Sequence, residues 1–214
     1  MKELNLDRIS VLKHSAIRIE GSLVVYFDPF HLEEETHDAD LIFITHDHFD
    51  HFSADDVRKV LKEDTLLICP LTSREAIVKA GVIREERIVC MEPGDSAVLK
   101  GAQAVAVAAY NIGKKFHPKE NRWLGYIVTL DGVSYYVAGD TDATLELLSV
   151  KADVALLPVG GTYTMTAEEA ALAAKEMDVE TFIPTHYGSI VGEKTDGERF
   201  RKLVGDAKKV LLKL

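Results

Sequence analysis

The eight residues Thr45–Phe52 read T-H-D-H-F-D-H-F and carry three histidines and two aspartates between positions 46 and 51. They follow an apolar run at 41–44 (Leu-Ile-Phe-Ile), which is typical of a buried β-strand. Side chains alternate along a strand, so His46 and His48 point the same way if the chain stays extended. Imidazole and carboxylate groups are the usual ligands of Zn²⁺, and imidazole also suits Fe and Ni. The spacing predicts a metal site at the C-terminal end of a core strand, in preference to a solvated loop.

Length and composition limit the class of protein. A chain of 214 residues is expected to form a single domain, residues 1–214. The hydrophobic content of 47% and charged content of 28% are typical of soluble globular proteins. A net charge of −10 argues against nucleic-acid partners and anionic membranes, and no apolar stretch approaches the ~20 residues of a membrane span. Residues Met1–Asn5 lack the apolar core of a signal peptide, so we expect a cytoplasmic protein; the sequence is also compatible with a homo-oligomer.

The pattern along the chain predicts a mixed α/β (α+β) fold. Antiparallel strands at 6–12, 16–19 and 23–27 precede the strand at 41–44, and Ser53 is a helix N-cap. Asp131-Gly132 is the turn of a hairpin, and Thr166 with Glu169 forms a capping box ahead of an Ala-rich helix. Further segments are predicted as strands at 65–69, 88–90, 154–157, 181–184 and 210–214, and as helices ending at 81 and spanning about 197–204.

Other strand ends also deliver acidic or imidazole side chains. Asp28, Asp140 and His186 each follow an apolar strand, and strand ends are where sites assemble in sheets covered by helices. With the cluster, this predicts six metal ligands: His46, His48, Asp50, His51, Asp140 and His186. Six exceed the number that one zinc ion takes, so we expect two metals that share Asp140 and hold a hydroxide between them. Asp50 and Asp140 are therefore predicted to be catalytic.

For several residues the sequence supports two alternative roles. Asp28 either orients a ligand histidine from behind or simply initiates a turn. The polar stretch Asn111–Arg122 is either a solvated basic loop or a loop that contacts substrate through Asn111, Lys114, Lys115 and His117. Tyr187 either donates to a substrate oxyanion or is a buried structural residue. His14 is expected to be structural or solvated.

The H-x-H-x-D-H motif at 46–51 resembles that of the metallo-β-lactamase superfamily, as do Asp28-Pro29, Gly139-Asp140-Thr141 and His186, in the order that this family requires. The resemblance covers nearly the whole chain and implies a four-layer αββα sandwich with metals at the sheet edges. One departure stands out, because the strand end at 109–111 (Ala-Tyr-Asn) lacks the histidine that the family usually has there. Either His117 folds back to complete the first metal site or that site is weakened. The implied sets are His46, His48 and His117 on one metal, and Asp50, His51 and His186 on the other, with Asp140 between them.

The leading hypothesis is a binuclear metal-dependent hydrolase that acts on an ester, lactone or phosphoester of an anionic small molecule, similar to the lactonase and phosphoesterase branch of this superfamily. Two zinc ions are expected, with Mn, Fe or Ni as alternatives. A nuclease or phosphodiesterase of the same fold is a second hypothesis. A non-catalytic metal-binding domain is a third.

Overall fold

In a computed structural model, residues 4–214 are described, and they form two β-sheets packed face to face. Met1, Lys2 and Glu3, part of the segment used to argue against a signal peptide, lie outside the described residues. No helix among residues 4–214 is both long and apolar enough to cross a membrane.

The first sheet follows the order of the chain: β1 (Ile9–Lys13), β2 (Ala16–Glu20), β3 (Val24–Phe27), β4 (Ala39–Phe43), β5 (Leu61–Pro70) and β6 (Ile88–Met91). Strands β1 to β3 are antiparallel, as predicted, and β3 to β6 are parallel. In this arrangement the β1–β2 turn and the C-terminal ends of β3 and β4 lie at one edge of the sheet. Thr45–Phe52 leaves the sheet at that edge.

The second sheet runs in the reverse order: β13 (Lys209–Val210), β12 (Asp178–Thr185), β11 (Lys151–Pro158), β10 (Val133–Val137), β9 (Leu124–Leu130), β8 (Ala102–Ala108) and β7 (Ser96–Leu99). The β9–β10 hairpin turns at Asp131 and Gly132, whose φ angles of 51° and 74° fit a type I′ turn. Strands β10 to β13 are parallel, so the ends that carry Asp140 and His186 share one edge. The last strand, predicted at 210–214, is only Lys209–Val210, because these are the two residues that pair with β12.

Five helices are described among residues 4–214: α1 (Ala54–Val60), α2 (Arg74–Ala80), α3 (Leu145–Leu148), α4 (Ala167–Glu176) and α5 (Asp196–Val204). The predicted N-cap is confirmed, since the Ser53 hydroxyl accepts a hydrogen bond from the Asp56 amide. The capping box of Thr166 and Glu169 is also present at α4.

Alternation along the strands produces the layers. Phe27 and Phe43 stack at 5.1 Å on the inner face of the first sheet, and Tyr126 of the second sheet lies 5.0 Å from Phe43. Their neighbours Tyr26 and Ile42 point outward and pack with the apolar residues of α1 and α2. The outer face of the second sheet packs against α3, α4 and α5 in the same way. Each fully buried side chain of this kind contributes about 1.5–3 kcal/mol. The predicted four-layer αββα sandwich is confirmed over residues 4–214.

Candidate metal centre

Asp28, which follows β3, holds the start of the loop Thr45–Phe52. One of its carboxylate oxygens accepts a hydrogen bond from the Thr45 amide at 2.8 Å, and the other accepts from the Thr45 hydroxyl at 2.7 Å. This second oxygen also lies 2.7 Å from Nδ1 of His51. A carboxylate can only accept, so Nδ1 of His51 carries a proton and Nε2 is the nitrogen left to bind a metal. The geometry supports an orienting role for Asp28.

His46 and His48 lie side by side, as the alternation predicts, with Nε2 of His46 3.1 Å from Nδ1 of His48. The ring of His117 lies about 5 Å from both of theirs, at 5.1 and 5.0 Å. Asn111 holds this ring: its side-chain oxygen lies 2.9 Å from Nδ1 of His117, and its backbone N–H donates to the His117 carbonyl at 2.7 Å. His117 therefore folds back to the two motif histidines, and Asn111 orients it.

Asp140, which follows β10, lies between two groups of histidines. One carboxylate oxygen lies 3.2 Å from Nε2 of both His117 and His186, and the other lies 3.3 Å from Nε2 of His51. Asp140 is buried at 4% exposure. The Asp140 carboxylate thus lies within reach of imidazole nitrogens from both groups of histidines.

Asp50 faces the second group. Its Oδ2 lies 3.7 Å from Nε2 of His186 and 3.8 Å from Nε2 of His51. Nε2 of His14 lies closer still, at 3.5 Å. Asp50 thus lies among three imidazole nitrogens, one of which comes from the β1–β2 turn.

The donor atoms fit a metal centre. Three sets bring one donor atom from each member within 4.8 Å of one another: His46, His48 and His117; His46, His51 and Asp140; and His14, Asp50 and His186. Many of these atoms are buried without a hydrogen-bond partner, namely both ring nitrogens of His14 and His186, Nε2 of His51 and His117, and Oδ1 of Asp140. Buried polar groups normally have partners, and so many unpartnered donors converging on one place match what divalent metals require.

The histidines differ in charge preference. Burial lowers the pKa of His46 well below its usual value and also lowers that of His48, with neighbouring histidines adding to both effects. Burial acts in the same direction on His51, but the carboxylates of Asp140 and Asp28 outweigh it and raise the pKa of His51 well above its usual value. His46 and His48 are therefore held in the neutral form that binds metals.

The two carboxylates remain ionised. Burial opposes the charge on Asp140, but His186 and His51 hold its pKa well below the usual range. Burial also opposes the charge on Asp50, but the neighbouring imidazoles of His14, His186 and His51 more than offset it, so its pKa is lowered. Both carboxylates are thus in the ligand form.

Two further residues shape the centre. Gly160 approaches the loop after β12 so closely that a Cβ there would lie 2.1 Å from the carbonyl oxygen of His186, so only glycine fits. The Trp123 ring lies 4.8 Å from the ring of His46 and 4.7 Å from that of His48. This indole forms an apolar wall beside the first group of histidines.

Two of the predicted substrate contacts, Lys114 and Asn111, have other partners. The Lys114 ammonium donates to Asp142 and to the carbonyl of Thr164, which ties the loop to the protein. The Asn111 side chain is occupied by His117 on one side and by the Tyr163 carbonyl on the other. The Asn111 and Lys114 contacts are therefore corrected to structural roles, because their polar atoms already have buried or half-buried partners.

For Tyr187 the structure favours the second alternative, a buried structural residue. Its hydroxyl would lie 2.2 Å from a Cβ at Gly197, so the ring points towards α5 and packs in the core under that helix. Alternation of side chains beyond the end of β12 sends His186 to the centre and Tyr187 away from it. Lys115, by contrast, is exposed on the loop.

His14, which the sequence analysis left as structural or solvated, is completely buried beside Asp50 and His186. Strand directions could have found it, because the β1–β2 turn must lie at the same sheet edge as Asp28 and the motif. A single histidine in a short turn does not by itself predict a position beside the motif at 46–51.

Comparison with known proteins agrees with the geometry. A family model described as a β-lactamase superfamily domain matches residues 20–187. A UPF0173 metal-dependent hydrolase from Pyrococcus abyssi is 34% identical over 219 residues, which cover 96% of this chain and 95% of the relative. A Parabacteroides distasonis protein described as a metal-dependent hydrolase superposes with a TM-score of 0.84 at 32% identity, covering 96% of this chain and 92% of that one. Igni18, a metallo hydrolase from Ignicoccus hospitalis, has a TM-score of 0.76 at 25% identity and covers 95% and 93%.

Proposed function

Because the chain belongs to the metallo-β-lactamase superfamily, we propose that it is a hydrolase that uses two divalent metal ions, with zinc as the first choice. The observation that carries this proposal is the position of Asp140, whose two oxygens lie 3.2–3.3 Å from imidazole nitrogens on both sides. His46, His48, His117 and Asp140 would hold one metal. Asp50, His51, Asp140 and His186 would hold the other.

Bound metals of this kind act as Lewis acids and lower the pKa of water towards neutrality, so the chain needs no separate strong base. The protein's own part is to orient the donors, to keep Asp50 and Asp140 ionised, and to keep His46 and His48 neutral. Asp28 fixes the tautomer of His51, and Asn111 does the same for His117 by accepting from Nδ1. Trp123 excludes water from one side of the centre, which strengthens the electrostatic interactions inside it.

The proposed substrate is an ester, lactone or phosphoester of a small anion. Three of the four cations of the loop 111–122 are paired with nearby carboxylates: Lys114 with Asp142, Lys119 with Glu146 at 2.8 Å, and Arg122 with Glu92 at 2.8 Å. Lys115 is exposed two residues before His117, so it is the candidate contact for a substrate anion. We expect Lys115→Ala to raise KM for anionic substrates and to leave neutral ones unchanged. Lys119→Ala is the matched control.

The metal content and a substrate panel test the proposal. Purified protein should contain about two metals per chain. It should hydrolyse at least one of a lactone, a carboxylic ester or a phosphodiester, lose that activity to a chelator and regain it with Zn²⁺ or Mn²⁺. Asp140→Asn should abolish turnover, whereas Asp55→Asn, at an exposed helix position, should not.

Three outcomes decide against the proposal. Sub-stoichiometric metal together with chelator-resistant activity would refute metal dependence. Cleavage of labelled RNA in preference to all small substrates would replace it with the nuclease hypothesis. Normal metal loading with no turnover, unchanged by Asp140→Asn, would favour a non-catalytic metal-binding domain.

A further inference from the structure

His14 is a buried imidazole that the proposed donor sets do not use. It is 0% exposed, and neither of its ring nitrogens has a hydrogen-bond partner among the described residues. A structural core histidine normally donates its N–H to a carbonyl or carboxylate, because an unpaired buried polar group costs about 1–3 kcal/mol. His14 therefore lacks the partner that a purely structural role requires.

The surroundings of His14 are the donors of the second metal. Its Nε2 lies 3.5 Å from Oδ2 of Asp50, and its ring lies 3.9 Å from that of His186 with the planes inclined by 39°. Its carbonyl accepts a hydrogen bond from the His186 amide at 3.1 Å, which fixes the two residues relative to each other. The ring of His51 is 6.4 Å away.

The distances around Asp50 discriminate between a hydrogen bond and shared coordination. Its Oδ2 lies 3.5, 3.7 and 3.8 Å from Nε2 of His14, His186 and His51. These separations are too long for good hydrogen bonds. Donors bound at about 2.0–2.2 Å to one metal lie roughly 3.0–3.6 Å from one another, which is close to the spacing seen here. His14 takes the same place relative to Asp50 as the two histidines already assigned to this metal.

The backbone of His14 is also held in a costly conformation. Its φ is 54° and that of His186 is 57°, both in the left-handed region, which is uncommon for residues other than glycine. Such conformations persist where the surrounding structure requires them, often at functional sites. Here the conformation turns both imidazoles into the same cluster of donors.

We propose that His14 is a further ligand, through Nε2, of the metal that Asp50, His51, Asp140 and His186 hold. The inference rests on the proposed binuclear centre and extends it. The second metal then has five protein donors and the first has four, so the second site is expected to bind more tightly and to fill first. The first site keeps more room for water and substrate.

Metal binding is the test, since it needs no substrate. Zn²⁺ titrations against a chromophoric chelator would compare the unmodified chain with His14→Ala and His14→Gln. A glutamine amide can still donate to Asp50 but is a poor metal ligand. Both variants should lower the affinity of one of the two binding steps by at least about tenfold and leave the other unchanged. His37→Gln is the matched control, because His37 also has a positive φ (48°) but is exposed.

A second measurement does not depend on the variants. In the Co²⁺-loaded unmodified chain, NMR with ¹⁵N-labelled histidine should show the large contact shifts of metal-bonded imidazole nitrogens for six of the eight histidines. The six are His14, His46, His48, His51, His117 and His186. Five shifted histidines, with His14 absent, would overturn the inference and leave the proposed function standing.

The remaining outcomes are equally distinct. If His14→Gln binds like the unmodified chain and His14→Ala does not, His14 only positions Asp50 and is not a ligand. If both folded variants bind two metals normally, the inference is wrong. A chain that binds no metal at all would overturn the inference and the proposed function together.

Discussion

Replacing Asp28 by asparagine should weaken metal binding without unfolding the protein. Asparagine keeps the size of the side chain and tolerates the left-handed φ of 44° at this position. Its amide oxygen can still accept from the Thr45 backbone, as one carboxylate oxygen does at 2.8 Å. The amide nitrogen then takes the position that lies 2.7 Å from Nδ1 of His51. Because an amide nitrogen donates, Nδ1 must become the acceptor.

This change moves the proton of His51 to Nε2, the nitrogen that faces Asp140 at 3.3 Å. A protonated Nε2 has no lone pair for a metal, so binding must first reverse the tautomer or flip the ring. Loss of such an orienting partner typically costs 10- to 100-fold in metal affinity, which is about 1.4–2.7 kcal/mol. The effect should fall on one of the two metals, because Asp28 contacts only His51 among the proposed ligands.

Chelator competition with Zn²⁺ measures this directly, with circular dichroism as the check on folding. Asp55→Asn is the control, since its side chain is 91% exposed and pairs only with Arg58 at the surface. Refutation would be a folded Asp28→Asn protein whose two Zn²⁺ affinities equal those of the unmodified chain. In that case Asp28 would serve only to hold the Thr45 turn.

Three further predictions follow from individual contacts. Asn111→Ala should lower the affinity for one metal by about 10- to 100-fold, because it frees the His117 ring. Asn111→Asp should restore part of this loss, because its carboxylate still accepts from Nδ1 of His117. Equal metal affinities of the unmodified chain and both variants in chelator titrations would contradict this. Asp56→Ala should destabilise the fold by about 2–4 kcal/mol in urea unfolding, since it leaves two backbone amides of the 31–32 loop unpaired, whereas Asp55→Ala should have little effect. Burial raises the pKa of Asp38, but hydrogen bonds from Thr36, Arg18 and Tyr26 outweigh it and lower the pKa below its usual value. The contribution of Asp38 to stability is therefore present above its ordinary pKa and is lost as pH falls through the lower folded value. The stability difference between the unmodified chain and Asp38→Asn should therefore shrink below pH 4, and a constant difference down to pH 3 would refute the assignment.

Local signals in the sequence predicted much of the fold. The Ser53 cap, the Thr166 capping box and the turn at Asp131-Gly132 are all present, because each depends on contacts within a few residues. The short helix α3 and the true length of the last strand were not predicted. The length of this strand is set by its pairing with β12, in which only two residues take part. The local sequence carries no signal for that tertiary contact.

Some of the proposed metal donors could likewise be predicted from local sequence, whereas others depend on tertiary structure. By itself, the sequence determined the chemistry of the motif at 46–51: an apolar strand that ends in closely spaced imidazoles and carboxylates, whose alternation brings His46 and His48 together. It could not decide between His117 and Asn111, because that depends on how the loop 111–117 closes on itself. Only the tertiary structure brought His117 back to the motif, with Asn111 as its hydrogen-bond partner.

The structure likewise gave Lys114 and Tyr187 other partners and placed His14 beside Asp50. Residues 14 and 50 are far apart in the chain, and their contact arises from the register of β1 to β4 and from the shared edge of the first sheet. Periodicity and spacing in the sequence show which side chains a segment contains. Strand direction and loop closure decide which of these side chains come into contact, and both depend on residues far apart in the chain.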